Sequence, residues 1–264
     1  MTIRVMISGS GKMGREVVRA AAAEPGLEPV AVVDALATGD QVALPDGSGV
    51  LPLGKDVAAL MAFTRPDVIV DFTNADWTPK LAREALGAGV RLVIGTTGLP
   101  DAFVSELGVE CSKRGIGAVL AANFALGAVL MQYMARIAAP YYSHAEIIEM
   151  HHEGKADAPS GTSLATARGM AEARGSAFTR PETHKQTLPG TRGGETGGIT
   201  IHSVRLPGLV AHQQVMFGAP GETLTIRHDS TGRESFMPGV VLAVREVMQR
   251  RELIVGLDRL IGLE

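Results

Sequence analysis

A glycine-rich segment between a strand-like run and a helix-like run constrains the fold more than any other part of this sequence. The apolar run Ile3–Ile7 precedes it, and a helical pattern follows it to about Ala23. The spacing is G-x-G-x-x-G, in which the glycines permit a tight turn, a close approach of backbone to a pyrophosphate, and packing of the helix on the strand. We therefore predict dinucleotide binding by Ser8, Gly9, Ser10, Gly11, Lys12, Met13 and Gly14.

An acidic residue ends the next predicted strand. The run Pro29–Val33 is followed by Asp34, twenty residues after Gly14. A carboxylate at this position can accept hydrogen bonds from both ribose hydroxyls of NAD. Strand, helix and acid together favour a Rossmann-type unit over an empty glycine-rich turn.

The same alternation continues along the first half of the chain. Strand-like runs cover 67–73, 91–98 and 116–121, with helical patterns at 79–88 and 101–114 between them. Strands that alternate with helices predict a doubly wound parallel sheet, which binds its ligand at the carboxyl ends of the strands. Further cofactor contacts are therefore expected at Gly95, Thr96, Thr97, Ala121, Ala122, Asn123 and Phe124.

The pattern changes after Phe124. A helix over 126–139, a long polar loop over 181–198 and strands at 199–205, 209–218 and 223–228 predict a second, α+β domain. Its turns at Pro207-Gly208 and Pro220-Gly221 favour a mostly antiparallel sheet with helices on one side. A helix over 236–250 and an apolar tail are expected to rejoin the first domain. The predicted domains are 1–122 plus 237–264, which binds dinucleotide, and 123–236, which binds substrate and mediates oligomerisation.

The segment 149–162 concentrates chemical groups in the second domain. A strand-like run ends at His151 and His152, Lys155 follows, and Pro159-Ser160-Gly161-Thr162 begins a helical pattern. The unpaired N–H groups and the positive dipole end of a helix start favour an anion. We interpret the segment as a carboxylate-binding site with a histidine acid beside it. Neighbouring histidines on a strand point to opposite faces, so no metal site is expected.

Composition excludes several other classes of function. The net charge of −3, from 25 basic and 28 acidic residues, argues against a nucleic-acid-binding surface. The sequence has one cysteine, Cys111, and no apolar run long enough for a membrane span, so we expect no disulfide and no membrane partner. A cytoplasmic location is the corresponding expectation.

Taken together, these segments resemble the dihydrodipicolinate reductase family of lysine and diaminopimelate biosynthesis over nearly the whole chain. The most specific part is His-His-x-x-Lys-x-Asp-x-Pro-Ser-Gly-Thr, and Asp71-Phe72-Thr73 also matches. The resemblance implies NAD(P)H-dependent reduction of 4-hydroxy-tetrahydrodipicolinate, a cyclic dicarboxylate, by a homotetramer. It implies that His151 donates the proton and Lys155 is the second catalytic residue. It also implies substrate contacts from His152, Ser160, Gly161 and Thr162.

The residue after Asp34 bears on which nucleotide is used. It is Ala35, where members of the family that bind NADP often carry a basic residue, and Asn74 stands at another such position. A carboxylate without an adjacent arginine repels a 2′-phosphate, so we predict a preference for NADH. Lys12 can reach a 2′-phosphate, which makes only partial discrimination the expectation.

Two other functions stay open at this stage. An aldehyde dehydrogenase acting through a thioester would need Cys111 as its nucleophile, although Cys111 lies in a helical stretch of the first domain. A nucleotide-binding sensor would retain the fold without turnover and would tolerate loss of His151.

Overall fold

The computed structural model describes residues 2–263, which form two compact units. The first unit combines the chain up to Phe124 with the chain from Arg233 onward, and the second contains Ala125–Gly232. The chain passes from the first unit to the second after Phe124 and returns at Arg233. The sequence placed the first of these boundaries two residues earlier, after 122, and the second four residues later, at 237. No helix in residues 2–263 is long and apolar enough to cross a membrane.

The first unit begins with alternating strands and helices. Its strands are short and largely buried, as expected for parallel strands covered on both faces. The elements before the first crossing are β1 (Ile3–Ser8), α1 (Lys12–Ala23), β2 (Leu27–Val33), β3 (Gln41–Ala43), β4 (Val50–Gly54), α2 (Val57–Thr64), β5 (Val68–Asp71), α3 (Thr78–Gly87), β6 (Arg91–Ile94), α4 (Asp101–Arg114) and β7 (Ala118–Leu120).

The sequence did not predict β3, β4 and α2. The first of these strands is three residues long and exposed at both ends, and the second contains Pro52, so neither shows an alternating pattern. The helix α2 is short and almost entirely apolar, which hides its amphipathic period. The available signal was its N-cap, Asp56, whose side chain accepts a hydrogen bond from the Ala59 N–H at 2.9 Å.

The second unit contains one sheet and two longer helices. Its elements are α5 (Leu126–Ala138), β8 (His144–His151), α6 (Gly161–Arg174), β9 (Gly194–Thr196), β10 (Ile199–Arg205), β11 (Ala211–Ala219) and β12 (Glu222–Ser230). The sheet order is β12-β11-β8-β10-β9. Residues such as Ile147, Val215 and Phe217 from one face of the sheet pack with Ala135 of α5 and Met170 of α6. Both helices therefore cover the same face.

One expected pairing in this sheet is wrong. The turn at Pro207-Gly208 suggested a hairpin between β10 and β11, but β8 lies between them. It pairs parallel to β10 and antiparallel to β11. The strands β11 and β12 do form the expected antiparallel hairpin. A turn dipeptide specifies a local change of direction and cannot exclude a strand from an earlier part of the chain.

The last segment returns to the first unit with α7 (Met237–Val247), β13 (Leu253–Val255) and α8 (Leu257–Leu260). The strand β13 pairs with β7 and completes the order β13-β7-β6-β5-β1-β2-β4-β3, in which only β3 is antiparallel to its neighbour. Parallel register places Ser8, Asp71 and Ile94 side by side. The glycine loop and the segments that follow β5 and β6 consequently leave the sheet at one edge.

Candidate active site

The glycine loop has the backbone geometry that the sequence pattern requires. Gly9 has φ of +97°, a conformation that residues with a Cβ rarely adopt. A Cβ at Gly14 would lie 1.9 Å from the Gly9 carbonyl oxygen, so this position allows only glycine. Gly11, by contrast, has nothing within 4 Å of where its Cβ would be. The space beside Gly11 is open to a ligand, which fits a bound pyrophosphate.

Asp34 is tied to this loop by its carboxylate. One oxygen, Oδ2, accepts hydrogen bonds from the Ser10 N–H at 2.8 Å and the Ser10 hydroxyl at 2.5 Å. The other accepts from the Leu36 N–H at 2.8 Å. Burial acts to raise the pKa of Asp34, but these hydrogen bonds outweigh it and hold the pKa below its usual value. The side chain is therefore ionised at neutral pH.

A cleft of about 560 Å³ opens beside Ser10 and Leu36. Two arginines on one face of α1, Arg15 and Arg19, contribute to its wall. The Arg15 Nε donates to the Ser10 carbonyl oxygen at 3.3 Å. The sequence prediction did not include these arginines, although their spacing of four residues placed them on one helical face near the loop.

Asp71 connects the ends of three elements at the same edge of the sheet. Its side chain is fully buried and accepts hydrogen bonds from the hydroxyls of Thr73 at 2.7 Å, Thr78 at 2.5 Å and Thr96 at 3.0 Å. The sequence matched Asp71 to the family without giving it a role. Its position shows that it fixes the segments after β5 and β6 relative to the first turn of α3.

The other expected cofactor residues fall into buried and accessible groups. The Ser8 hydroxyl is buried and accepts a hydrogen bond from the Trp77 indole at 3.0 Å, so it is already used within the fold. A Cβ at Gly95 would lie 2.0 Å from the Phe72 ring, which packs edge-on against Phe124 at 5.3 Å between ring centroids. Ala121, Phe124 and Thr96 are buried, whereas Lys12, Met13, Thr97, Ala122 and Asn123 are exposed or half-buried.

In the second unit, His151 ends β8 and is bound by a buried carboxylate. Its Nδ1 lies 2.5 Å from Glu149 Oε2, and the exposed fractions of the two side chains are 14% and 0%. Burial lowers the pKa of His151, the nearby charges of Lys155 and Arg205 lower it further, and Glu149 offsets these effects only in part. Without ligands, His151 has a pKa below its usual value.

Lys155 lies in the turn that follows. Its Nζ is 2.7 Å from Asp157 Oδ1, and its N–H donates to the His152 carbonyl oxygen at 3.2 Å. His152 is exposed, so the two neighbouring histidines have different environments, as the strand pattern predicted. No group of three or more His, Cys, Asp or Glu side chains within residues 2–263 could hold a metal ion.

The helix α6 begins after a cis peptide bond between Ala158 and Pro159. Ser160 is the N-cap: its hydroxyl accepts from the Ser163 N–H at 3.2 Å and lies 2.7 Å from the Ser163 hydroxyl. Ser160 is buried, whereas Gly161 is exposed and Thr162 is half-exposed. The N–H groups at the start of a helix lack intrahelical partners, so the backbone here can bind an anion.

Arg205, at the end of β10, was not predicted to belong to the site. Its Nη1 and Nη2 donate to Glu149 at 3.0 and 2.9 Å, and Nη2 also donates to the Asp157 carbonyl oxygen at 2.6 Å. It is separated from Glu149 by 56 residues, so no local pattern indicated the contact. Only the pairing of β10 with β8 brings the two together.

Cys111 does not have the environment of a nucleophile. It is fully buried in α4, where burial, reinforced by the charge of Glu110, raises the pKa of the thiol to about 11. A thiol with so high a pKa stays protonated at neutral pH, and the thiolate is the reactive form.

The first unit has a Rossmann-type sheet with a glycine loop, and in the second unit His151 and Lys155 precede the start of α6 in the chain. Together with the matches below, these features indicate a pyridine-nucleotide-dependent oxidoreductase. Residues 3–124 match the model of the dihydrodipicolinate reductase N-terminus, and residues 127–261 match that of the dihydrodipicolinate reductase C-terminus. The chain belongs to the dihydrodipicolinate reductase family.

Individual relatives agree with this assignment. A 4-hydroxy-tetrahydrodipicolinate reductase of Dehalococcoides mccartyi is 48% identical over 262 residues, which are 99% of each chain. A second, from Geobacillus kaustophilus, is 48% identical over 264 residues, covering 99% of this chain and 100% of the relative. The structure of a dipicolinate-bound dihydrodipicolinate reductase from Paenisporosarcina sp. TG-14 has a TM-score of 0.88 at 42% identity, covering 98% of this chain and 99% of that one.

Proposed function

We propose that this protein reduces 4-hydroxy-tetrahydrodipicolinate with NADH or NADPH in lysine and diaminopimelate biosynthesis, and that His151 donates the proton. The observation that carries the proposal is the arrangement at the end of β8, where His151 is bound to buried Glu149 and lies near Lys155. The reductase names of full-length relatives support the substrate.

The second unit would bind the dicarboxylate through groups that favour negative charge. Lys155, His152, the N–H groups of Gly161 and Thr162 and the Thr162 hydroxyl are the candidates for the two carboxylates. Dipicolinate, which the similar Paenisporosarcina enzyme binds, is a ring dicarboxylate, and this supports the assignment. The buried hydroxyl of Ser160 would serve by holding the helix start in place.

The first unit would hold the nucleotide at the glycine loop, with Asp34 on the ribose and the segments at 95–97 and 121–124 along the rest of the cofactor. The open space at Gly11 fits the pyrophosphate. When bound, the reduced nicotinamide supplies the hydride. The chain's own contribution is to orient the substrate ring, to neutralise its carboxylates and to provide the proton.

The hydrogen bonding of His151 supports its proposed role as the proton donor. Because Glu149 accepts from Nδ1, the proton is available on Nε2 when the ring is charged. As hydride arrives at one ring carbon, electron density builds at the neighbouring carbon, and a positioned acid lowers the barrier by about 10²–10⁴-fold in rate. The dianionic substrate favours the charged imidazole, which counters the low pKa of the ligand-free site.

NADH is the proposed preferred cofactor. Ionised Asp34 would repel a 2′-phosphate, and Ala35 supplies no positive charge to offset it. Arg15 and Arg19 in the neighbouring cleft, together with exposed Lys12, oppose this discrimination. The preference is therefore expected to be partial.

We also propose a homotetramer located in the cytoplasm, where reduced nicotinamide nucleotides are available. The sheet of the second unit has one face covered by α5 and α6, and partly buried Ile148, Met150 and Met216 lie on the other face. The same face carries charged groups, among them Glu146, which is bonded to Arg192 and His202. A sheet face that mixes apolar and charged side chains, and that no helix of residues 2–263 is seen to cover, favours association with another copy.

A direct test is oxidation of NADH and NADPH with substrate generated in the cuvette from pyruvate, aspartate semialdehyde and a dihydrodipicolinate synthase. Rapid, substrate-dependent oxidation is expected, with a larger kcat/KM for NADH. Asp34→Asn should shift the ratio towards NADPH by about tenfold, which corresponds to about 1.4 kcal/mol, because the repulsion between the carboxylate and a 2′-phosphate is removed. Cofactor binding without oxidation would overturn the proposed function and favour the sensor hypothesis.

A further inference from the structure

Three side chains from two strands form a connected group beneath the proposed proton donor. Arg205 lies opposite His151 in the parallel register of β10 and β8. Its guanidinium binds both oxygens of Glu149, and Glu149 Oε2 also binds His151 Nδ1. A second branch leads from Arg205 Nη2 to the Asp157 carbonyl oxygen. One guanidinium is thus bonded both to the partner of His151 and to the loop that carries Lys155.

Because Glu149 is buried, its charge depends on these hydrogen bonds. Its side chain is 0% exposed, so its charge is stabilised by Arg205 and His151 rather than by water. Burial acts to raise the pKa of Glu149, but the hydrogen bonds from Arg205, Ser203 and His151 outweigh it and the pKa lies below the usual value. Glu149 is therefore an ionised acceptor for the Nδ1 proton.

We propose that Glu149 and Arg205 are positioning residues for the reduction: Glu149 holds His151 with its proton-donating Nε2 free, and Arg205 keeps the Lys155 loop in register with His151. The inference rests on the proposed roles of His151 and Lys155. It assigns to Arg205 a function in aligning two catalytic groups that lie on different segments.

Charged groups from three segments act on the imidazole. Glu149 on β8 favours its charged form, while Lys155 in the loop and Arg205 on β10 disfavour it. Loss of the Glu149 charge should therefore lower the pKa of His151. Loss of the loop contact should instead affect substrate binding, because Lys155 would no longer be held in place.

A matched control pair lies on the exposed surface of the first unit, where Arg83 of α3 meets Glu106 of α4. Arg83 donates to Glu106 through Nε and Nη2, both at 3.2 Å. The exposed fractions of the two side chains are 62% and 49%, so water solvates both charges. Glu106→Gln and Arg83→Lys thus make the same chemical changes as Glu149→Gln and Arg205→Lys, in the unit that does not contain His151.

The experiment measures steady-state kinetics and ¹⁵N NMR of the histidine rings in the full-length protein. The His151 signals are identified among those of the seven histidines by their absence from a His151→Gln sample. Glu149→Gln should lower kcat by about 10–100-fold with KM changed less than about threefold, since orientation of the acid is lost while substrate contacts remain. The His151 ring signals should show a lower pKa and a mixed tautomer.

Arg205→Lys keeps the positive charge but cannot donate to Glu149 and to the Asp157 carbonyl in the same fork geometry. We expect KM for the dicarboxylate to rise about tenfold while the tautomer of His151 is retained. Should a single variant fail to fold because a buried charge is left unpaired, Glu149→Gln/Arg205→Gln removes both charges together. The double variant should show the same loss of kcat as Glu149→Gln.

Unchanged kcat and unchanged His151 signals in Glu149→Gln would overturn the role of Glu149. An Arg205→Lys variant with wild-type KM would overturn the role of Arg205. If each control variant changed kcat and KM as much as its matched site variant does, both positioning roles would be overturned. Failure of the proposed function looks different, because the wild-type protein itself would then show no substrate-dependent oxidation while the NMR signals still reported the Glu149–His151 bond.

Discussion

His151 combines a titratable ring with an environment that disfavours its charge. Burial dominates, and Lys155 and Arg205 add to it, so Glu149 does not restore the usual pKa. For a group whose charged form donates the proton, a pKa lowered in the free protein limits the fraction that is ready to react at neutral pH. The pH dependence of turnover is therefore the most informative measurement at this residue.

We expect kcat/KM to fall as pH rises through the His151 pKa of the free protein, with a midpoint below the ordinary value of about 6.5. The fall in kcat should come at higher pH, because the bound dianion favours the charged ring. Profiles of kcat and kcat/KM between pH 5 and 9 check this. The control is His151→Gln, in which neither parameter should show the fall assigned to His151. A kcat/KM midpoint above that of kcat would contradict the assignment.

The same lowered pKa has a consequence for stability. The unfolded chain binds a proton at His151 more readily than the folded chain does, so the contribution of this residue is fully present above about pH 6.5 and is lost as pH falls through the folded-state pKa. Acid therefore destabilises the site through this group.

Two glycines of the loop are expected to be needed for different reasons: Gly14 for the fold and Gly11 for nucleotide binding. In Gly14→Ala the new Cβ would overlap the Gly9 carbonyl, so the free energy of unfolding should fall by about 3 kcal/mol or more. In Gly11→Ala the Cβ meets no protein atom, so stability should change by less than about 0.5 kcal/mol while the Kd for NADH rises at least about tenfold.

Unfolding can be followed through the single tryptophan, Trp77, which lies in the first unit and donates to Ser8. Calorimetric titration with NADH gives the Kd. Wild-type affinity in Gly11→Ala would show that the pyrophosphate does not approach the loop at this point.

At the scale of elements, the carboxyl edge of the first sheet depends on polar bonds between loops. Phe72 and Phe124 pack together at this edge, and buried hydrogen bonds hold the remaining polar segments. Asp71 connects the segments by accepting hydrogen bonds from the hydroxyls of Thr73, Thr78 and Thr96. A buried acceptor with several donors is sensitive to removal, because each donor loses its partner away from water.

We expect Asp71→Ala to lower the free energy of unfolding of the first unit by about 1–3 kcal/mol and to weaken nucleotide binding. Urea titrations followed by Trp77 fluorescence measure the change. The control is Asp46→Ala, which removes an exposed loop carboxylate bonded to Ser48 and should leave stability unchanged. Equal effects of the two substitutions would mean that the buried network does not organise this edge.

At the scale of the whole molecule, the sheet of the second unit presents two different faces. One is covered by α5 and α6, and the other carries partly buried apolar side chains on β8 and β11. Ile148, Met150 and Met216 on the second face are only partly buried within one chain, so another copy of the chain is expected to cover them.

Light scattering after size exclusion should give a tetramer for the wild-type protein at micromolar concentration. Met216→Glu should produce a smaller species with unchanged circular dichroism, because a charge on the associating face is costly to bury. Val109→Glu makes a similar change at a 52%-exposed position of α4 in the first unit and should leave the tetramer intact. A wild-type monomer would refute the proposed assembly.

The alternation of short apolar strands with helices predicted the parallel sheet, and the glycine spacing predicted its first turn. Both signals are local, since a period or a turn is specified by neighbouring residues. The helix start at Ser160 and the position of His151 at a strand end were likewise visible, as was Asp34 at the end of β2. Neighbouring residues determine these features, so they do not depend on where the segment lies in the fold.

Tertiary structure alone decided what each side chain contacts. The sequence places Arg205 56 residues from Glu149, yet the insertion of β8 between β10 and β11 brings the two into a bonded pair. Asp71 accepts hydrogen bonds from three hydroxyls because three segments meet at one edge of the sheet. Such contacts depend on strand order and register, which long-range packing sets and no local pattern encodes.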